Sequence, residues 1–461
     1  MLQDRYETDK IFENILAYTN EMDPVLSQID ILLDDEELYQ LIRSDFAKRY
    51  PLTEVTGRKS TPVEVMLRML TVKRLYGLSY EQTENQVRDS LVLRQFCRVY
   101  FNDVPDDTTL IRWANLIAAE TLEAYNQRVT QIATELKVTR GRKLRTDGTV
   151  VETNIHAPTD SHLLADGVRV IGRTLQRAKQ ALSKQTELDA QVFRNRTRSA
   201  RKTARQVSRQ VARQKEAGKR AYRKLIQIAQ QSVSQAKQVL EALEENTEQQ
   251  AQRLKDALET FIPRVEQVIE QTIRRVFQNE QVPAEEKIVS IFEPHTAIIR
   301  RGKAGKPVEY GCKVWLDEVE GGIVTRWDVL DGNPSDKHQW VPSLDAHQQL
   351  FGKPPTQASA DRGVFSADNE AEAKHRGIHR IVLPKPGKKS EKRRQYQKQP
   401  WFRRARKWHA GVEGRISVLK RCYDLDRCLN HGKDGFHCWV GWGVIAHNLK
   451  KIGCTVAARS A

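Results

Sequence analysis

Between Arg173 and Glu280 the chain runs for 108 residues with a single glycine, Gly218, and a single proline, Pro263. So long a stretch without backbone breakers, rich in Gln, Arg, Ala, Lys and Glu, has few outlets other than helix. Leu225, Ala229, Ser232, Ala236, Val239, Leu243, Asn246 and Gln250 recur at alternating steps of four and three. Leu254, Leu258, Phe261, Val265, Val268 and Ile273 continue nearly the same stripe. This heptad-like seam predicts a long helical hairpin or coiled coil, kinked near Pro263, that dimerises, lies along DNA, or both.

β-prone runs flank the helical stretch. Leu144–Val151 precedes it; Tyr310–Val319 and Gly322–Leu330 follow, separated by the turn Glu320-Gly321-Gly322. A helix is expected over Asp336–Phe351, short strands at Thr356–Ala360 and Ile381–Leu383, a helix over Trp401–Arg421, and another over Phe436–Leu449. The order predicts a mixed α/β sheet with helices on its faces, interrupted once by a long helical insertion. Residues 30–136 read as helices. Thr61-Pro62-Val63-Glu64 predicts a capping box, Ser79 starts a short helix over Tyr80–Arg88, and Leu91–Tyr100 is a third candidate. Asp106-Asp107-Thr108 caps a helix expected from Thr109 to Leu136. Short helices joined by tight turns fit a helix-turn-helix-like module or a plain helical scaffold. The expected division is 1–136 (all-α, DNA-binding), 140–172 (start of the core), 173–287 (basic coiled-coil-like insertion) and 288–461 (remainder of the core).

A chain of 461 residues exceeds one ordinary domain. Its net charge of +17 is uneven. Residues 1–45 hold twelve acids and three bases, residues 173–224 seventeen bases and three acids, residues 385–407 eleven bases and one acid. Two basic blocks in a mixed chain read as phosphate-facing surfaces, nucleic acid before membrane, with a solvated helix face the alternative for the first. Six cysteines without close pairing argue against a disulfide scaffold. The start MLQDRYETDK lacks an apolar signal core, and the longest apolar stretch, near Cys438–Ala446, is far below the roughly 20 residues of a spanning helix. A reducing compartment and no membrane are therefore expected. Cys422, Cys428, His431, His437 and Cys438 lack the spacing of zinc knuckles and read as buried or incidental. Gly302–Pro307 lacks the spacing and Ser/Thr of a phosphate-binding loop and reads as a basic turn.

Three acids stand where chemistry needs them. Asp147 lies in the first strand before Gly148, Asp361 ends the fourth strand with Gly363 behind it, and Glu413 sits inside the late helix. Hard divalent cations take oxygen ligands, and a pair of them activates the attacking oxygen and stabilises the leaving oxygen of a phosphodiester. His409, Glu413, Ile416 and Lys420 fall on one helical stripe, which sets a base one to two turns from the acid to hold a phosphate. Asp328, Asp331 and Asp345 read as surface or turn residues.

With Thr146–Asn154, Ala360–Phe365, and Glu413 followed seven residues later by Lys420, the chain resembles the DDE transposases of bacterial insertion sequences. Lys59–Tyr76, Leu78–Val87 and Asp106–Leu110 are similar to the helical domain that precedes their core. The resemblance covers roughly 30–170 and 290–450. It implies a ribonuclease-H-like catalytic core in which Asp147, Asp361 and Glu413 hold two Mg²⁺ or Mn²⁺ ions. It further implies double-stranded DNA as partner (terminal inverted repeats and target), no ATP, a homo-oligomer assembled on DNA, and a cytoplasmic place on a bacterial chromosome. Water would cut a strand at the element's end, and the freed 3′-hydroxyl would attack target DNA. Where many relatives carry Tyr and Arg seven and four residues before the Glu, this chain has Arg406 and His409. The 52 positions from Asp361 to Glu413 leave no room for the strand-rich insertion linked to hairpin handling. Lys385, Lys388, Lys389, Lys392, Arg393, Arg394, Arg406, His409 and Lys420 are the expected DNA contacts, the block Lys385–Lys407 being a flexible basic loop. Trp401 and Trp408 are candidates to stack on an unpaired base; Trp439 and Trp442 fit core packing better. An inactive DNA-binding derivative and a metal-dependent nuclease without strand transfer are the competing functions.

Overall fold

A computed structural model of the chain describes residues 1–19, 22–50, 52–182, 190–211, 215–243, 248–303 and 306–460. They form two compact units, Met1–Glu152 with Cys312–Ala461, and Thr153–Gly311.

The strands in chain order are β1 (Lys143–Thr153), β2 (Ala297–Lys303), β3 (Lys306–Val319), β4 (Ile323–Leu330), β5 (Gln357–Ser359), β6 (Arg380–Val382) and β7 (Arg427–Cys428). In the first unit the order across the sheet is β4, β3, β1, β5, β6, and β7 also pairs with β1. β3 and β4 are antiparallel, with Lys313 opposite Leu330 and Val319 opposite Ile323. β1 and β5 are parallel, as are β5 and β6. The sheet is therefore mixed, as the alternation of strands and helices predicts. β1 is buried along nearly its whole length, the state of a central strand covered on both faces. The β3–β4 turn needs glycine: Gly321 has φ +87°, and a Cβ there would lie 2.3 Å from the Val138 carbonyl oxygen.

The N-terminal helices and the last helix, Gly432–Ser460, share one apolar core with the sheet, in which Leu38, Phe46, Trp113, Trp315, Trp442 and Ile445 are buried. Two helix expectations need correction. Val63–Leu75 starts at Pro62 without a side-chain cap, because the carbonyls of Gln3 and Asp4 accept from Val63 N and Glu64 N instead. The Glu64 carboxylate, freed of capping, accepts from the buried Arg68, which also binds Asp30 and Asp34. Thr109–Leu136 is two helices, Asp107–Ala114 and Ala119–Glu135. Ala118 between them is extended, and its N–H donates to Asp45 rather than to a helical carbonyl. Ser79 does start a helix, Tyr80–Asp89, and forms a capping box with Gln82.

Two buried histidines make this unit sensitive to acid. His347 Nε2 faces the Gly141 carbonyl at 2.9 Å and His447 Nε2 the Gly322 carbonyl at 3.1 Å. Burial pushes His347 down to about 4 and His447 down to about 3. The unfolded chain binds these protons more readily, so their contribution is complete above pH ~6.5 and is lost as the pH falls toward those values. Each histidine then costs about 1.4 kcal/mol per pH unit within its window. Urea unfolding followed by tryptophan fluorescence at pH 7.5 and pH 5 reads this loss. A His347→Gln chain should lose less over the same interval, and an equal loss would remove His347 from the account.

The second unit is a bundle of four helices, Asp160–Leu182, Thr197–Val211, Lys215–Leu243 and Gln249–Val276. Leu225, Ala229, Ser232, Ala236, Val239 and Leu243 are buried as the seam requires, as are Leu254, Leu258, Val265 and Val268. Four helices rather than a two-helix hairpin cover that seam, because the residues ahead of it, from Leu164 to Ala178, carry an apolar stripe of their own. Gln250 is exposed at the end of the stripe, and Asn246 lies outside the described residues. The helix Gln249–Val276 continues without a break through Pro263. Beyond the bundle, β2 pairs antiparallel with the first half of β3. Residues 304 and 305, the tip of the expected basic turn, are outside the described residues.

Candidate active site

β1 and β5 run parallel with Arg145 opposite Ser359. Two residues further along each chain stand Asp147 and Asp361, the latter still extended at φ −69°, ψ 169°. Asp147 thus lies within β1 and Asp361 just past the end of the neighbouring β5, each two residues beyond the last paired position. Asp147 is half-buried, and its Oδ1 accepts from Gly148 N at 2.7 Å. Asp361 is exposed and opens the short turn Arg362–Val364. His409 Nε2 lies 3.3 Å from its Oδ1. That hydrogen bond, aided by the charges of His409, Arg362 and Arg406, holds the Asp361 carboxyl below the usual aspartate value. The site therefore presents an ionised carboxylate at neutral pH.

The late helix, Pro400–Cys422, begins with Pro at its first turn and buries Phe402, Ala405, His409, Val412 and Leu419. Three contacts fix it against the sheet. His409 meets Asp361, Lys420 Nζ donates to the Val150 carbonyl at 2.6 Å, and Arg145 donates to the Trp408 carbonyl. Arg145 is itself locked: its Nε and Nη2 donate to the two oxygens of Glu318 at 3.0 and 2.6 Å, and Arg415 Nε reaches the same carboxylate at 3.2 Å. Glu318, on β3, has a side chain only 2% exposed. A guanidinium from β1, a carboxylate from β3 and a guanidinium two residues past Glu413 thus set the height and rotation of the helix.

Glu413 is exposed one turn after His409, on the same stripe as His409 and Lys420. Through His409 and Lys420 the helix that carries Glu413 contacts Asp361 and β1. Among the described residues no three His, Cys, Asp or Glu side chains cluster closely enough to hold a metal ion. Asp147 and Asp361 nevertheless offer the hard anionic oxygens that Mg²⁺ takes.

The remaining expected contacts divide. Lys388, Lys392, Arg394 and Arg406 are exposed, Lys385 and Lys389 partly so. Arg393 is not available to a ligand: its guanidinium binds Glu370 at 2.8 Å and donates to the Leu383 carbonyl. Lys420 serves the helix–sheet contact. The flexible loop expected over Lys385–Lys407 is corrected to a helix, Glu391–Lys398, followed directly by the late helix. Ser390 caps it, and Tyr396, Trp401 and Phe402 pack around Val382 in a small apolar cluster of their own. Trp439 and Trp442 are buried, and Trp439 lies under Arg74 at 3.9 Å. Asp328, Asp331 and Asp345 each pair with a base, Arg326, Lys433 and Arg376. Sequence reading missed Arg145, Glu318 and Arg415. The only signal was two adjacent acids, Asp317 and Glu318, inside a strand, where charge is buried only if paired.

Gly411 belongs to this network. A Cβ there would lie 2.6 Å from Arg145 Nη1. Gly411→Ala should therefore push the guanidinium off Trp408 and cost about 1–3 kcal/mol, the range for overpacking. A urea midpoint equal to the parent's would show that Arg145 has room to move.

Residues 14–116 match the family model described as Transposase domain (DUF772), and residues 369–453 match the one described as Transposase DDE domain. The second stretch contains His409, Glu413 and Lys420; Asp147 and Asp361 lie outside both. No curated protein and no solved structure matches the chain.

Proposed function

We propose that this chain, a DDE transposase of insertion-sequence type by its two matched domains, binds the terminal inverted repeats of its element and catalyses strand cleavage and strand transfer. The observation that supports the reading is the parallel pairing of β1 with β5, the strands that lead to Asp147 and Asp361, beside a helix bearing Glu413. The strand order β4, β3, β1, β5, β6 supports a ribonuclease-H-like core. Asp147, Asp361 and Glu413 would hold two divalent cations, Mg²⁺ or Mn²⁺, which activate the attacking oxygen and stabilise the leaving one. His409 orients Asp361, and Arg406 and Arg362 beside it offer positive charge to the phosphates that flank the cut. Lys385, Lys388, Lys389, Lys392 and Arg394 lead into the late helix and would follow the DNA backbone.

Two exchanges complete the reaction. Water attacks the phosphodiester at the element's end, the P–O3′ bond breaks, and the 3′-hydroxyl departs with a proton. That hydroxyl then attacks a target phosphodiester, forming one P–O bond as another breaks, so no ATP is consumed. A homo-oligomer on DNA would bring two ends together.

The test is a cleavage-and-joining assay with Mg²⁺ on labelled DNA that flanks the encoding gene. Metal-dependent nicks at the element's ends and joined donor–target products are expected. Nicks without joined products would reduce the reading to a nuclease, and binding without nicks would make the chain an inactive DNA-binding derivative.

A further inference from the structure

One lopsided surface lies on the insertion bundle. The helix Thr197–Val211 contains no acid. At 3.6 residues per turn, Arg198, Arg201, Lys202, Arg205 and Arg209 fall within an arc of about 100°. Ala200, Thr203, Ala204 and Val207 fall on the opposite side and are buried in the bundle core. All five bases are exposed, and none has an ion-pair partner among the described residues. Some other bases of the unit are paired: Arg274 with Glu280 and Glu286, Arg275 with Asp160, Lys237 with Glu266. The five line a surface cleft of roughly 750 Å³ together with Asn195 and Thr197. The next helix adds exposed Arg220, Arg223 and Lys224, and the preceding one Arg173 and Arg177.

A solvated face has no need to exclude acids or to align its charges. From Arg198 to Arg209 the helix rises about 16 Å at 1.5 Å per residue. Over that length a duplex presents roughly five phosphates per strand, at 3.4 Å each. Five cations stand against five phosphates. Because the five bases are charges on flexible stems, with the amides of Asn195 and Gln206 only at the margin of the arc, the surface suits backbone rather than base edges.

We propose that the Arg198–Arg209 face of the insertion is a second, sequence-independent docking surface for duplex DNA, apart from the candidate active site. It rests on the transposase reading, which supplies DNA as the partner. The bundle thereby provides affinity that does not depend on the terminal repeat and so extends to target DNA.

The experiment measures binding of the full chain to a duplex of arbitrary sequence by fluorescence anisotropy over a KCl series. The variant Arg198→Gln/Arg201→Gln/Arg205→Gln/Arg209→Gln removes four exposed charges and should fold as the parent does, checked by circular dichroism. Its slope of log K against log [KCl] should be shallower by about three to four, near 0.9 per lost contact. Lys237→Gln/Arg253→Gln/Lys255→Gln, off that face, should keep the parental slope. Parental binding with an unchanged slope in the four-residue variant overturns the surface and leaves the transposase reading intact. Equal loss in the control assigns the effect to net charge and overturns it as well. If the parent binds no duplex at all, the transposase reading falls and takes this surface with it.

Discussion

Asp361→Asn should lower strand cleavage by at least about a thousandfold, equivalent to about 4 kcal/mol of transition-state stabilisation, while DNA binding stays at or above the parental level. Asparagine keeps the shape of the side chain and an oxygen that can face His409, so the turn Arg362–Val364 has no reason to move. What is lost is the anion. Asp361 is the more exposed of the two aspartate carboxylates and the one held ionised by His409, Arg362 and Arg406. A neutral amide is a far weaker ligand for a hard cation. The binding half of the prediction follows from the same charges: removing an anion beside two arginines cannot weaken their hold on a phosphate. Gel-based cleavage and anisotropy on one duplex read the two quantities separately. Near-normal cleavage would remove Asp361 from the site, and lost binding would mark it as a DNA-contact residue.

The second large effect is on stability. Glu318→Ala leaves Arg145 and Arg415 facing each other with no anion between them. Removing one partner of a buried ion pair typically costs about 3–5 kcal/mol, because the charge left behind stays desolvated. The same change loosens the late helix, since Arg145, which donates to the Trp408 carbonyl, loses the carboxylate that also holds it. All eight tryptophans lie in the unit that contains the sheet, so urea unfolding followed by their fluorescence reports that unit alone. The double change Arg145→Met/Glu318→Leu should recover part of the loss by replacing charge with apolar contact. A loss below about 1 kcal/mol for Glu318→Ala would show that water replaces the carboxylate.

The elements that carry the candidate site were legible because their signals are local. Asp147 is flanked by a β-prone run, Asp361 follows a short one, and Glu413 shares a helical period with His409 and Lys420. The rest was not legible because it depends on residues far apart in the chain. Lys420 and Arg393 look alike in sequence as bases near an acid. One donates to the Val150 carbonyl and the other to Glu370, so neither is the open phosphate contact that composition suggested. The basic run from Lys385 reads as a loop because its charges hide Tyr396, Trp401 and Phe402, whose packing on Val382 makes it helical.

By itself the sequence determined the alternation of strands and helices, the interruption by a long helical insertion, and the residue types needed for phosphodiester chemistry. These follow from backbone breakers, periodicity and charge, all of which act over a few residues. Tertiary structure alone decided the parallel pairing of β1 with β5, the Arg145–Glu318–Arg415 lock on the late helix, and the growth of the seam into a four-helix bundle. Those depend on which desolvated groups find partners across distant segments. A buried charge is tolerated only where another element supplies its counter-charge, and no local pattern records that meeting.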